Sequence, residues 1–248
     1  MKPMGGLAGP KVAAGSATVD RVTSPPPPHI GTLNEGSLHA ALKERYREPG
    51  DQLEVKLNGF VIDIKRGDHL IEVQTGSFGA MGRKLDRLLG DHTMLLVYPI
   101  ATESYLVRDG KNRRKSPKKL DVYALFDELV SLPTMLDHPN LAIEVVLVRV
   151  EKHQVHDPGL RRRRGGWRTV DRRLLEITDV HRFDSMHDLM RLLPSDLPET
   201  FTTADIATGA RIRRDQAQKI AYCCRHAGVF SVVDKHRNGL VYRWNRPA

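Results

Sequence analysis

The feature that most constrains this fold is a pair of β-rich stretches joined by a short polar turn. The stretches are Leu53–Lys65 and Leu70–Gln74, and the turn between them is Arg66–His69. Branched and aromatic residues dominate both stretches, and the intervening glycine and aspartate are typical turn formers. A four-residue loop places Lys65 opposite Leu70 and thereby fixes the register of the whole hairpin.

This register separates acidic from apolar side chains. Paired residues share one face of a sheet, and successive residues alternate between faces. Asp63 therefore faces Glu72, with Gln74 on the same side. The opposite face is predicted to be apolar and consists of Ile62, Ile64, Ile71 and Val73.

Two carboxylates that lie directly opposite each other repel. A divalent cation between Asp63 and Glu72 removes that repulsion, and carboxylate oxygens suit Mg²⁺ or Mn²⁺. Such an ion activates water and stabilises charge on a phosphate. The alternative is that both acids are solvated on the wet side of an antiparallel sheet.

The surrounding sequence predicts an α/β (α+β) core, in which a mixed β-sheet is flanked by helices. Helices are predicted over Thr32–Arg47, Phe78–Leu89 and Val122–Leu132. Buried strands are predicted over His92–Ile100 and Leu141–Val150. Alternation of helices and strands around the hairpin supports this class rather than an all-β fold.

Glu35 is a candidate third acid of the site. It precedes Leu38 and Leu42 by three and seven residues, so it shares the inward face of the first predicted helix. Glu35 also follows Thr32 by three residues, which is the spacing of a capping box. Both interpretations remain open, and one residue can serve both roles.

The order of these motifs resembles the PD-(D/E)XK nuclease superfamily, which has a restriction-endonuclease-like core. A helix with a glutamate precedes Asp63, and Glu72 lies in a strand that leads into a helix; the resemblance covers about residues 30–100. It implies that Asp63 and Glu72 hold the metal, that Glu35 assists, and that Val73 offers a main-chain carbonyl. Gln74 stands where the superfamily has its catalytic lysine.

The resemblance also suggests a replacement for that lysine, because in some members it has moved to the following helix. Lys84 fits this position, since it lies three residues after Met81 and four before Leu88, at the border of the buried face. Lys65 is the other candidate, on the same strand face as Asp63. We prefer Lys84.

A strong positive charge favours a polyanionic partner. The 248 residues contain 39 Lys and Arg against 30 Asp and Glu, which gives a net charge of +9. Lys111–Lys119 has six basic residues in nine and is predicted to be an exposed loop. Arg161–Arg173 has seven arginines and one acid and is predicted to be a mobile or hairpin-like segment. Nucleic acid is expected to contact Arg161, Arg162, Arg163 and Arg164, although simple solvated loops are the alternative.

The last part of the chain predicts a winged helix-turn-helix. A helix begins at Thr202-Thr203, a longer one covers Arg213–His226, and a β-hairpin follows. In such modules the start of the second helix enters the major groove. The expected DNA-contacting residues are Arg211, Arg213, Arg214, Gln216 and Lys219, with Lys235 and Arg237 at the wing tip.

Three segments follow from these patterns. Residues 1–29 are expected to be a disordered Pro-rich tail, residues 30–182 a PD-(D/E)XK-like domain with basic insertions, and residues 195–248 the winged helix-turn-helix domain. The two cysteines, Cys223 and Cys224, are adjacent and suit a reducing cytoplasm. No apolar run is long enough for a membrane span, so we expect a cytoplasmic protein without a membrane partner.

The expected function is therefore a metal-dependent DNA endonuclease, with Mg²⁺ or Mn²⁺ as cofactor. A non-catalytic DNA-binding regulator on a degenerate nuclease scaffold is the alternative, because of Gln74. A protein-assembly module is a third class, which leaves the arginine clusters without a role. RNA remains possible as a substrate, and a homodimer is a natural arrangement for cutting both strands.

Overall fold

The structure is a computed structural model that describes residues 36–160, 164–236 and 239–245, with the backbone alone at Arg164. The α-helices are α1 (Ser37–Tyr46), α2 (Gly82–Leu88), α3 (Leu125–Leu129), α4 (Thr203–Gly209) and α5 (Arg214–His226). The strands are β1 (Gln52–Leu57), β2 (Phe60–Arg66), β3 (His69–Val73), β4 (Thr93–Arg108), β5 (Lys111–Lys115), β6 (Leu141–His156), β7 (Trp167–Phe183), β8 (Thr200–Phe201), β9 (Phe230–His236) and β10 (Gly239–Trp244).

Strands β1 to β7 form one mixed sheet with the order β1-β2-β3-β4-β6-β7, and β5 pairs with the second half of β4. The β3–β4 and β4–β6 pairs are parallel, and the remaining pairs are antiparallel. Helices flank this sheet. The α+β class with a mixed central sheet is therefore confirmed.

Two apolar clusters cover the sheet. Leu38 and Leu42 of α1 pack with Val97 and other strand residues in the smaller cluster. The larger cluster joins the sheet to α2 and α3, with Leu85 and Phe126 among its buried members. Alternation along the strands sends successive side chains into different clusters, as expected for a sheet covered on both sides.

The C-terminal part has two helices and a small antiparallel sheet with the order β8-β10-β9. Helix α4 begins as the sequence predicts, with a capping box between Thr202 and Asp205. The buried side of α5, including Ile220, joins the same cluster as Phe126 and Leu129 of α3. The described part of residues 195–248, which the sequence predicts to be the winged helix-turn-helix domain, packs against the central sheet in this cluster.

Helix α1 begins later than predicted. Its first residue is Ser37, and its N-cap is Gly36 in an extended conformation. The predicted start at Thr32 is therefore wrong for this helix. Thr32 and Glu35, like the tail of residues 1–29, lie outside the described residues.

The segment Lys111–Lys119 is not wholly a loop, because its first five residues form β5. This strand pairs antiparallel with Tyr105–Arg108 across a turn at Asp109-Gly110. Both turn residues have positive φ, 47° and 70°, which suits the tight turn of a two-residue hairpin. All five side chains of β5 are exposed, as the prediction required.

Most of the segment Arg161–Arg173 is also ordered as a strand, because β7 begins at Trp167. The Trp167 ring lies under the guanidinium of Arg108, with 4.4 Å between the guanidinium carbon and the ring centroid. Arg161, Arg162, Arg163 and Arg237 lie outside the described residues, as does the Arg164 side chain. In the parts of the chain that are described, no helix is both long and apolar enough to cross a bilayer.

Candidate functional site

The candidate site lies where strands β2 and β3 separate. Their ladder contains the predicted pairs Lys65↔Leu70 and Ile64↔Ile71, and ends there. Beyond these pairs the Asp63 side chain, rather than the main chain of β2, bonds to β3: its Oδ2 accepts a hydrogen bond of 2.8 Å from the Val73 amide. A side-chain oxygen thus replaces a main-chain carbonyl and holds the two strands apart.

This separation overturns part of the predicted face assignment. Ile64, Ile71 and Val73 do lie in one apolar cluster, but Ile62 lies in the other one with Leu70. Regular alternation breaks at Asp63, between the two isoleucines. The four apolar residues were predicted to share a face; this is wrong for Ile62, which lies in a different cluster from the other three.

Asp63 is held as a carboxylate by helix α1. His39 Nε2 lies 3.2 Å from Asp63 Oδ2, and the side chains are 20% and 14% exposed. Burial favours the neutral acid, but the hydrogen bonds from His39 and from Val73 N–H outweigh it. Together they hold the pKa of Asp63 below its ordinary value.

Glu72 is held by helix α2 instead. Lys84 Nζ lies 2.5 Å from Glu72 Oε1 and donates a second hydrogen bond of 2.8 Å to the Val61 carbonyl. The lysine thereby bridges β2 and β3 beside the gap. Burial and the nearby negative charge of Asp63 raise the pKa of Glu72, against the opposing effect of Lys84.

One oxygen of this site has no partner. Glu72 Oε2 is buried and makes no hydrogen bond in the structure. Buried polar atoms are normally satisfied, so this oxygen suits an additional cation. Among residues 36–160, 164–236 and 239–245, no three His, Cys, Asp or Glu side chains converge on one metal position. The third predicted acid, Glu35, is not among those residues.

The two predicted substitutes for the missing lysine lie in different places. Lys65 Nζ donates to the Gly67 carbonyl of its own turn at 2.7 Å, whereas Lys84 is at Glu72. Gln74 donates to the Ser77 carbonyl at 2.7 Å and so stabilises the connection into α2. Of the candidates, the structure brings Asp63, Glu72 and Lys84 together.

The predicted DNA-contacting residues at the start of α5 divide into two groups. Arg211, Arg213 and Arg214 are exposed. Gln216 donates to Asp121 at 3.3 Å, and Lys219 donates to Asp127 at 2.7 Å, so both are engaged with the central part of the chain. Lys235 of β9 is exposed.

Sequence reasoning missed the residues on the other side of Asp63. A cleft of about 310 Å³ is lined by His39, Thr75, Asp171 and Arg172, among others. His39 lies in the first predicted helix, one residue after Leu38, and this position was the signal that could have found it. Nothing in the local sequence indicates Arg172, because only strand pairing brings β7 to this position.

The fold and site define a mixed α+β protein with a largely buried acid pair. A histidine of α1 contacts one acid, and a lysine of α2 contacts the other. The chain belongs to the family of the domain of unknown function DUF8091, whose model matches residues 36–184. A Treponema pallidum (strain Nichols) protein, named only as an uncharacterized protein, is 36% identical over 225 residues, 88% of each chain. No solved structure matches the chain significantly.

Proposed function

We propose that the protein is a Mg²⁺- or Mn²⁺-dependent DNA endonuclease, with its active site at Asp63 and Glu72. The observation that carries the proposal is the position of Lys84, which reaches Glu72 from the helix after β3. A lysine is what the PD-(D/E)XK pattern requires beside this glutamate, and Gln74 cannot supply one. The resemblance to that superfamily remains an inference from the motif order.

Each residue of the site has a distinct role in this proposal. Asp63 and Glu72 would hold the metal, and the unpaired Oε2 of Glu72 fits such a ligand. A bound Mg²⁺ would supply charge stabilisation at the phosphate and lower the pKa of a water molecule. His39 orients Asp63 and keeps it ionised. Lys84 positions the Glu72 carboxylate and offers an ammonium group to the developing negative charge.

Glu35 and Val73 enter the proposal through the resemblance alone. Glu35 would assist the acid pair, and the Val73 carbonyl would be a further oxygen ligand. The proposal does not depend on either residue for its main test.

The C-terminal part would position the enzyme on DNA as a winged helix-turn-helix. The succession β8, α4, α5, β9 and β10 supports this assignment. Arg211, Arg213 and Arg214 would contact the DNA, with Lys235 at the wing. Two such chains acting as a homodimer would cut both strands, and two free cysteines suit a cytoplasmic location.

A second candidate is a DNA-binding regulator without catalytic activity. The Lys84–Glu72 ion pair favours it, because an ammonium already neutralises one of the two acids. In that case the acid pair would have only a structural role. DNA affinity would then be independent of divalent metal.

The test is a cleavage assay with Mg²⁺ or Mn²⁺ on duplex, branched and single-stranded DNA and on RNA. Wild-type protein is compared with Asp63→Asn and with Asp68→Asn, a matched loss of one exposed carboxylate in the adjacent turn. We expect cleavage by wild type and Asp68→Asn and at least about 10²-fold slower cleavage by Asp63→Asn. DNA binding without any cleavage by wild type would leave the regulator as the function.

A further inference from the structure

Two positive side chains face each other directly in the sheet. Lys152 of β6 pairs with Arg172 of β7, although like charges in directly opposite positions destabilise a strand pair. Lys152 is half-buried. Burial and the positive charges of Arg172 and Lys118 lower the pKa of Lys152. Lys152 and Arg172 therefore place two positive charges at neighbouring positions of the sheet.

Neither Lys152 nor Arg172 forms an ion pair with any described carboxylate. The neighbouring cations on β6 and β7 do have such partners: Arg149 with Glu176, Arg168 with Asp157, and Arg173 with Asp171. The uncompensated charge is thus confined to a few positions of an otherwise neutralised pair of strands.

Arg172 lies beside the proposed active site. Arg172 Nη1 is 3.4 Å from the Thr75 carbonyl, and Thr75 follows Glu72 by only three residues. Arg172 and Thr75 also line the cleft that His39 borders. His39 in turn contacts Asp63. An anion bound by Arg172 would therefore lie next to the acid pair.

We propose that Lys152 and Arg172 bind a phosphate of the DNA strand that flanks the phosphate to be cut. This inference rests on the proposed function, because it assumes that DNA enters the cleft at His39. Arginine offers a planar set of donors that matches phosphate oxygens, and lysine adds a mobile point charge. A bound phosphate would also relieve the repulsion between Lys152 and Arg172.

Binding to DNA is measured in the Asp63→Asn protein without divalent metal, so that cleavage plays no part. Fluorescence anisotropy of a labelled duplex is recorded over a salt series. In this background we compare Arg172→Gln, Lys152→Gln and Arg172→Lys. Arg173→Gln is the matched control, since it removes the same charge from the next residue of β7, where Asp171 is the partner.

We expect Arg172→Gln and Lys152→Gln each to reduce the slope of log affinity against log salt by about 0.9, the contribution of one phosphate contact. The factor by which DNA affinity falls between about 50 and 200 mM salt then becomes roughly 3-fold smaller. Arg172→Lys should keep the slope, and Arg173→Gln should leave it unchanged. The two glutamine variants should melt no lower than their parent, because each removes a like-charge pair.

Slopes for Arg172→Gln and Lys152→Gln equal to that of Arg173→Gln would overturn the inference. The nuclease proposal would survive that result if wild-type protein cleaves DNA. Conversely, reduced slopes in a protein that cleaves nothing would support this phosphate site and refute the nuclease. A fluorescent RNA strand in the same assay shows whether the site accepts RNA as well as DNA.

Discussion

Lys84 Nζ lies 2.5 Å from Glu72 Oε1, and this ion pair joins helix α2 to strand β3 where β2 separates from it. The lysine and glutamate side chains are only 10% and 12% exposed. In such surroundings the loss of one partner leaves a buried charge, which costs far more than the loss of a surface ion pair. The pair is therefore structural as well as a candidate for catalysis.

The first prediction concerns the stability of this pair. Lys84→Met should lower the free energy of unfolding at neutral pH by about 3–5 kcal/mol, because Glu72 remains buried without its counter-charge. The double variant Lys84→Met with Glu72→Gln should recover most of that loss. Urea denaturation followed by circular dichroism measures both values.

A control for this prediction is Lys219→Met. Lys219 pairs with Asp127 at a similar distance, 2.7 Å, but the two side chains are 38% and 44% exposed. Its loss should cost no more than about 1 kcal/mol. Equal losses for the two lysine variants would contradict the buried character of the Lys84 pair.

The second prediction uses Asp51, which hydrogen-bonds twice to Arg66 and so ties the α1–β1 connection to β2. These bonds lower the pKa of Asp51 from 3.8 to about 2. A lowered carboxyl pKa contributes stability above pH 3.8, and this contribution disappears as the pH falls through about 2.

Asp51→Asn should therefore be less stable than wild type by about 1 kcal/mol at neutral pH. The difference should shrink steadily once the pH falls below 3.8, the ordinary pKa of the acid. Urea denaturation of both proteins at a series of pH values provides the measurement. A difference that stays constant down to acid pH would show that the Asp51 charge does not contribute.

The third prediction concerns helix α5. Arg214 is exposed and forms no ion pair with any described residue, whereas Lys219 is bound to Asp127. Arg214→Gln should weaken DNA binding and reduce its salt slope by about 0.9. Lys219→Gln should have little effect on either, although both residues were predicted from the sequence as DNA contacts. Anisotropy with a labelled duplex decides between them, and the same loss for both variants would refute the distinction.

The hairpin pairs next to the turn and the position of Lys84 were accessible from the sequence for a simple reason, whereas the predicted pair of Asp63 and Glu72 is absent from the ladder. A four-residue turn fixes which residues pair, and helical spacing fixes which side chains lie near the buried face. The end of the β2–β3 ladder at Asp63 was not accessible. It depends on a hydrogen bond from the Asp63 carboxylate to the Val73 amide, which competes with the regular ladder.

Other features escaped because they depend on partners distant in sequence. The charged strand β5 has no alternating pattern and exists because Tyr105–Arg108 offers it an edge. Periodicity identified the buried side of α5, but it gave no sign that α3 covers that side. His39 and Arg172 reach the site through tertiary packing, which local sequence patterns do not predict.

The central claim is that Lys84 supplies the lysine that position 74 lacks. The most direct test is the single-turnover rate of Mg²⁺-dependent DNA cleavage by Lys84→Met and by the double variant Lys84→Met with Gln74→Lys, measured where both are folded. The account predicts a loss of about 10²-fold or more in the single variant and a partial recovery when lysine returns at position 74. A Lys84→Met protein that cleaves DNA as fast as wild type would contradict it.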